Sequence, residues 1–247
     1  MIELIDVHKS FNNKQVLSGV SFKVKKGETF VIIGRSGTGK TVTLRHIAGL
    51  IEPDSGEVLI EDTRMDHAPN RVKDKLRQKM GVLFQSGALI NWMTVRDNVA
   101  LPLEEFKLLP EDEIEEVVAD RLRILQIDAG DKFPAEISGG MKKRAGLARA
   151  LVRNPEIILY DEPTSGLDPV MSSMINKLIR ETQQAYDVTS VVVSHDMRSA
   201  YEIGDRIAML HNGTIVQCDT PDGIRYSTNP IVKQFIEGNL AGPIDVE

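Results

Sequence analysis

Cysteine is almost missing from this chain. Among 247 residues only Cys218 carries a thiol, so an internal disulfide and a cysteine-built metal cage are both excluded. Long apolar runs are missing too. Nothing approaches the roughly 20 residues that a membrane-spanning helix needs. The opening MIELIDVHKSF contains Glu3 and Asp6 and lacks a basic start followed by an apolar stretch, so neither a signal nor a transit peptide is expected. Positive charge is in deficit: 30 basic residues against 36 acidic ones leave a net charge of −6. A general nucleic-acid binder is disfavoured, because its affinity comes from neutralising phosphates. Repeats and low-complexity segments are absent. What remains is ordinary globular composition, 41% hydrophobic and 27% charged, with enough apolar surface to bury a core. At about 150 residues per domain, the length suits one large α/β domain with a small inserted or appended one. A soluble protein of a reducing compartment is expected.

The hydrophobic pattern divides the chain. IELIDV and VSFKVKKGETFVII read as β structure, with turns at Asn12-Asn13 and Lys26-Gly27. Thr29 to Ile33 is a short apolar run suited to a strand covered on both faces. A helix is expected from about Lys40, with Leu44, Ile47, Ala48 and Ile51 on one face and Pro53 ending it. From about 86 the character changes. Pro102 and Pro110 punctuate the stretch, and Ile114, Val118, Leu122 and Leu125 mark an amphipathic helix with acids toward its start. A second helix stops before Pro155. Then Ile157–Tyr160 and Thr189–Val193 read as buried strands, with a helix over Pro169–Tyr186 between them. His211-Asn212-Gly213-Thr214 is a hairpin signal. A short helix is expected from Pro230. The division implied is an α/β core over 1–85 and 155–230, a helical subdomain over 86–154 and a tail over 231–247.

The strongest chemical signal is Gly34-Arg35-Ser36-Gly37-Thr38-Gly39-Lys40-Thr41, which fits G-x-x-x-x-G-K-[ST]. Glycines let several N–H groups converge on one phosphate, and the following helix adds the positive end of its dipole. Lys40 can reach the β- and γ-phosphates, and the Thr41 hydroxyl can ligate Mg²⁺. Ile157–Tyr160 runs into Asp161 and Glu162. Asp161 at the strand tip is placed to hold the Mg²⁺ shell, and Glu162 to polarise an attacking water. Two carboxylates beside phosphates need a cation to balance them. His195 follows Val191-Val192-Val193-Ser194. At a strand tip it can touch a γ-phosphate, but a purely structural histidine is an equal reading. Ser138-Gly139-Gly140 opens a helix with a good N-cap and free N–H groups, a second anion-binding start.

Together with Ser165-Gly166-Leu167-Asp168 and Ser194-His195-Asp196, these motifs resemble the nucleotide-binding subunit of ATP-binding cassette (ABC) transporters over essentially the whole chain. The resemblance implies a P-loop NTPase (RecA-like) core with an antiparallel β subdomain and an inserted α-helical subdomain. It implies ATP and Mg²⁺ as ligands. Phe11 stands where the family stacks an aromatic on adenine. Gln85 stands at the loop that senses Mg²⁺ and couples to the membrane subunit. Glu162 corresponds to the base, His195 to the switch, and Asp168 to the loop that crosses to a second copy. Ser138, Gly139 and Gly140 would complete the ATP site of that second copy.

Met141 stands where most members have Gln, and Ile137 where most have Leu. With Phe84-Gln85-Ser86-Gly87-Ala88-Leu89, this is similar to the ATPase of MCE-type lipid transporters, the Mla branch. That branch implies a dimer on an integral-membrane permease at the cytoplasmic face of a bacterial inner membrane. It also implies an MCE-domain substrate-binding protein, a small STAS-domain protein and phospholipid as cargo, with no nucleic acid. An ABC ATPase for another hydrophobic compound or small solute is the alternative. A DNA-repair or translation ABC ATPase, or a P-loop kinase, is a third reading. The acidic balance, the single cassette and the Ser138-Gly139-Gly140 start oppose it. The basic run Arg71–Lys79 reads as a solvated helix face, with contact to membrane headgroups the other reading, Cys218 as packing on a hairpin strand, and the tail as frayed or docked on a neighbouring subunit through Phe235 and Ile236.

Overall fold

The computed structural model describes residues 1–106 and 109–245. Positions 107–108 of the expected helical subdomain and 246–247 of the expected tail lie outside the described residues. The chain opens with β1 (Ile2–Phe11), β2 (Lys14–Val24), β3 (Thr29–Ile33) and α1 (Lys40–Ile47). Next come β4 (Ser55–Ile60), β5 (Thr63–Arg64), α2 (Asn70–Gln78), β6 (Met80–Leu83), α3 (Val95–Glu105) and α4 (Glu111–Ile124). After a single 3₁₀ turn follow α5 (Gly139–Leu151), β7 (Ile157–Asp161), α6 (Pro169–Tyr186), β8 (Thr189–Ser194) and α7 (Met197–Ile203). The chain ends in β9 (Arg206–His211), β10 (Thr214–Asp219), α8 (Pro221–Arg225) and α9 (Pro230–Glu237). Two compact units result: Met1–Arg77 with Thr189–Glu247, and Gln78–Val188.

The first unit holds an antiparallel sheet in the order β2-β1-β4-β5. It also holds β3 flanked by β8 and β9, both parallel to it, with β10 antiparallel on β9. Every residue of β3 and β8 is buried, as their apolar centres, Phe30–Ile33 and Val191–Val193, require. Each of those apolar side chains contributes about 1.5–3 kcal/mol by leaving water. The β9–β10 hairpin turns at Asn212 and Gly213, with φ of 46° and 75°, the pair of positive angles of a type I′ turn. Helix α1 is shorter than its periodicity suggests. Gly49 takes φ 64°, and the Gly49 and Leu50 amides close back on His46 and Arg45, each at 2.9 Å. The helix is capped there, well before Pro53, and Leu50 is left exposed.

In the second unit β6 and β7 pair in parallel, and α3 packs against α4 and α5. Pro102 does not interrupt this region; it lies inside α3. An internal proline costs a hydrogen bond and a clash, about 3 kcal/mol. The Thr94–Asp97 capping box and the burial of Val95, Val99 and Leu103 offset it. Helix α4 buries Ile114, Val118 and Leu122 as expected, and Leu125 is buried just past its end. Helix α6 spans Pro169–Tyr186 as expected.

The chain end is held in the first unit. Helix α9 buries Val232 and Gln234, while Phe235 and Ile236 are only half-buried. Gln234 Oε1 accepts from the Ile244 amide at 2.7 Å, and its Nε2 donates to the carbonyls of Ile244 and Asn239 at 3.1 and 3.2 Å. The Arg35 guanidinium donates to the Asp245 carbonyl. Residues 239–245 are thus tied down rather than frayed.

Candidate functional site

In the first unit the buried strand β3 ends at Ile33, and the glycine-rich loop begins at the next residue. Gly34, Gly37 and Gly39 take φ of 155°, 80° and 103°. The loop closes through the Thr38 hydroxyl, which donates to Arg35 O at 2.9 Å. A Cβ at Gly34 would strike the Leu210 carbonyl, and one at Gly39 would meet Leu17 Cδ2 at 2.7 Å. A Cβ at Gly37 would meet nothing within 4 Å, so that stretch of the cradle is open. Lys40 is 6% exposed. Its ammonium donates to Gly34 O at 2.8 Å and Arg35 O at 3.0 Å, so it is folded over the loop. The first turn of α1 carries no acid, so no carboxylate of its own offsets the positive end of its dipole. Thr41 is partly buried beside Lys40.

The parallel register pairs Ile33 with Ser194. It therefore sets Gly34 and His195 side by side at the C-terminal edge of adjacent strands, where open α/β sheets bind ligands. His195 is exposed. The turn behind it is built by Asp196: Oδ1 accepts the Arg198 amide at 3.0 Å, and Oδ2 accepts the Ser199 hydroxyl at 2.6 Å. Phe11 ends β1, exposed, with the Lys9 ammonium 5.5 Å from its ring centroid.

The second unit repeats the strand-tip logic. The register pairs Leu83 with Tyr160, so Gln85 and the pair Asp161 and Glu162 emerge at the same edge. Gln85 Nε2 donates to Ser165 Oγ at 3.3 Å. Asp161 and Glu162 are partly buried. Glu162 has φ 49°, a left-handed conformation that costs a non-glycine residue about 1–2 kcal/mol. Ser138 caps α5, its hydroxyl accepting the Met141 amide at 3.3 Å. Gly139 and Gly140 follow as the first residues of the helix, which has no acid in its first turn. Asp168 caps α6, with Oδ1 accepting the Val170 and Met171 amides at 2.9 and 3.0 Å.

Three side chains that the sequence pattern did not single out organise the second unit. Lys143 on α5 is 4% exposed and donates to the Glu162 carbonyl at 2.9 Å. Burial lowers its pKa to about 8, against the upward pull of the Glu162 and Asp161 carboxylates. Arg149 reaches the carbonyls that follow Gln85. Asn98, fully buried, bonds the Ile90 amide and the Ile90, Met93 and Thr94 carbonyls. Lysine and arginine on the inner face of α5 were the only signals, and solvated faces carry the same residues.

Among the described residues no group of three or more His, Cys, Asp or Glu surrounds one point. Thr41 in the first unit offers a hydroxyl, and Gln85 and Asp161 in the second an amide and a carboxylate; each is an oxygen donor of the kind Mg²⁺ takes, an ion ordinarily held by one or two carboxylates together with substrate phosphates. The glycine-lined cradle and the acid-free start of α1 suit a polyphosphate.

A glycine-rich loop between a buried parallel strand and a helix defines a P-loop nucleotide-binding protein with an α/β core. The family model described as ABC transporter matches residues 17–165. The probable ribonucleotide transport ATP-binding protein mkl of Mycobacterium leprae is 40% identical over 98% of this chain and 70% of its own. The intermembrane phospholipid transport system ATP-binding protein MlaF of Escherichia coli is 37% identical over 99% of this chain and 91% of its own. Among solved structures, the dimeric post-hydrolysis state of the ATP-binding cassette MJ0796 bound to ADP and Pi superposes with a TM-score of 0.82 at 32% identity. That match covers 90% of this chain and 99% of the other. The chain belongs to the ABC transporter family: it is the ATP-binding, ATP-hydrolysing subunit of a transporter.

Proposed function

We propose that this subunit powers phospholipid movement between the inner and outer membranes of a bacterium, from the cytoplasmic face of the inner membrane. The carrying observation is that E. coli MlaF aligns with it over 99% of this chain and 91% of its own length. Met141 after Ser138-Gly139-Gly140 supports the same branch. The mkl relative, named for ribonucleotide transport, supports a second reading in which the cargo is a small solute. Purifying the complex with its permease and analysing what comes with it decides between them. Phospholipid is expected; a ribonucleotide without lipid would overturn the first reading.

In this reading the loop 34–39 and Lys40 hold the β- and γ-phosphates of ATP, and Phe11 lies against adenine. Thr41, Gln85 and Asp161 would hold Mg²⁺, which would supply positive charge to the phosphate oxygens. Glu162 takes a proton from the attacking water, and His195 touches the γ-phosphate. A second copy contributes Ser138, Gly139, Gly140 and Asp168, so that two ATP molecules are shared between two chains. The dimeric state of the MJ0796 cassette supports that arrangement. Among the described residues no helix is long and apolar enough to cross a membrane; in this reading an integral-membrane permease receives the force.

The helical region, residues 86–154, is our choice for the permease contact. Trp92 is 82% exposed there. A cleft of about 430 Å³ between α3 and α4 has Ala100, Ile114 and Val118 in its wall and Glu104, Glu111 and Glu115 among its acids. Remodelling Leu89–Met93 should release the permease; intact copurification would count against this contact. An MCE-domain protein and a small STAS-domain protein complete the proposed assembly.

A further inference from the structure

Lys143 is a buried cation that the phosphate-binding machinery does not use. It lies on α5 just past the Ser138 cap, and its ammonium is 2.9 Å from the Glu162 carbonyl. The same carbonyl accepts the Ser165 amide at 3.2 Å, and Ser165 Oγ accepts Gln85 Nε2 at 3.3 Å. Both donors converge on the peptide that leaves Glu162, the residue with φ 49° at the end of β7. A left-handed glutamate persists only where its surroundings over-determine it. A charge-assisted hydrogen bond to its carbonyl is about twice as strong as a neutral one. Burying an ammonium is costly, and an apolar side chain would fill the inner face of α5 without that cost. The charge is therefore spent on something. It also lies where the Asp161 and Glu162 carboxylates act on it, which eases their mutual repulsion.

We propose that Lys143 is a positioning residue for ATP hydrolysis: by holding the Glu162 carbonyl it fixes the turn that aims the Glu162 carboxylate. The proposal rests on Glu162 being the base. Lys143 itself touches neither nucleotide nor water in the reaction. The geometry also couples the start of α5, where the second copy's nucleotide would bind, to the turn that carries the base.

The test uses the full chain assembled with its permease. Turnover, KM for ATP and the affinity for a fluorescent ATP analogue are measured for wild type, Lys143→Met, Lys143→Arg, Glu162→Gln and the Lys143→Met/Glu162→Gln double variant. A misaimed reacting group costs on the order of 10²-fold, so Lys143→Met should lose about 10- to 100-fold in kcat with nucleotide affinity unchanged. Lys143→Arg should recover most of the rate, and the double variant should be no slower than Glu162→Gln alone. If Lys143→Met does not fold, Lys143→Gln, which keeps a shorter neutral donor, reads the same split. Wild-type kcat in Lys143→Met, or a loss that tracks weakened nucleotide binding and multiplies in the double variant, would overturn the positioning role. The base assignment is tested separately: wild-type turnover in Glu162→Gln removes it and the proposal together. An inactive Glu162→Gln beside a normal Lys143→Met removes only the proposal.

Discussion

Arg149 Nη2 donates to the Gly87 carbonyl at 2.8 Å, and its Nη1 donates to the next carbonyl, that of Ala88, at 2.7 Å. The loop after Gln85 is thereby laid on α5. Gly87 has φ 76°, and a Cβ there would meet the Lys142 carbonyl at 2.6 Å. Gly146 opposite is tight too, since its Cβ would lie 3.0 Å from Gly87 O. Hydrogen bonds to charged groups contribute about 1.5–3 kcal/mol each, partly offset by the burial that lowers the Arg149 pKa. Arg149→Met should lower stability by about 2 kcal/mol in urea unfolding and speed amide exchange around Gly87. Unchanged exchange in that loop would show that the contact does not hold it.

Glu162→Gln keeps the shape of the side chain and removes the proton acceptor. Losing a general base costs about 10²–10⁴ in rate. ATP should still bind, turnover should fall within that range, and an ATP-bound dimer should accumulate on size exclusion. His195→Ala should slow hydrolysis with less effect on binding; an unaltered rate would return His195 to a structural role.

Lys40→Ala removes the ammonium that folds over Gly34 and Arg35. Nucleotide affinity should fall by tenfold or more, since a charge-assisted contact to phosphate contributes about 1.5–3 kcal/mol. Thermal stability without nucleotide should fall as well, because the Gly34 carbonyl is buried and loses its charged donor. Titration calorimetry that returned wild-type affinity would contradict the assignment.

His46 on α1 is a buried, pH-sensitive residue. Its Nδ1 lies 2.8 Å from Val42 O, which can only accept, so Nδ1 carries the proton. Burial pushes the pKa below 6.5, more than the Val42 and Glu52 carbonyls and Asp54 together push it up, and Lys9 pushes the same way as burial. The unfolded chain therefore binds the proton more readily than the folded one. The stability from neutral His46 is complete above pH 6.5 and is lost as pH falls toward the folded value. Urea midpoints should drop between pH 7.5 and 5.5, and the drop should shrink in His46→Leu. An equal drop in both proteins would assign the effect elsewhere.

Much of the fold was legible because its signals are local. Thr29–Ile33 and Thr189–Val193 are rich in β-branched and apolar residues, and both are buried strands. Asn212-Gly213 made the hairpin it spells. Helix ends were less legible. Gly49 stopped α1 early, and Pro102 was absorbed into α3, because capping bonds and burial outweighed periodicity in one place and proline strain in the other. The short strands β5 and β6 have too few residues to declare a period. Gln234 in a sequence of apolar helix residues gave no sign that it would clip the chain end.

The residue order alone determined the phosphate loop over 34–41, the acidic strand tip at Asp161 and Glu162, and the helix starts at Ser138 and Asp168, because each depends on backbone stereochemistry within a few neighbours. Only the tertiary structure decided that Ile33 lies beside Ser194, that Leu83 lies beside Tyr160, and that Lys143 reaches the Glu162 carbonyl. Those pairings join residues far apart in the chain. Their register follows from how whole strands and helices pack, which no short stretch of sequence encodes.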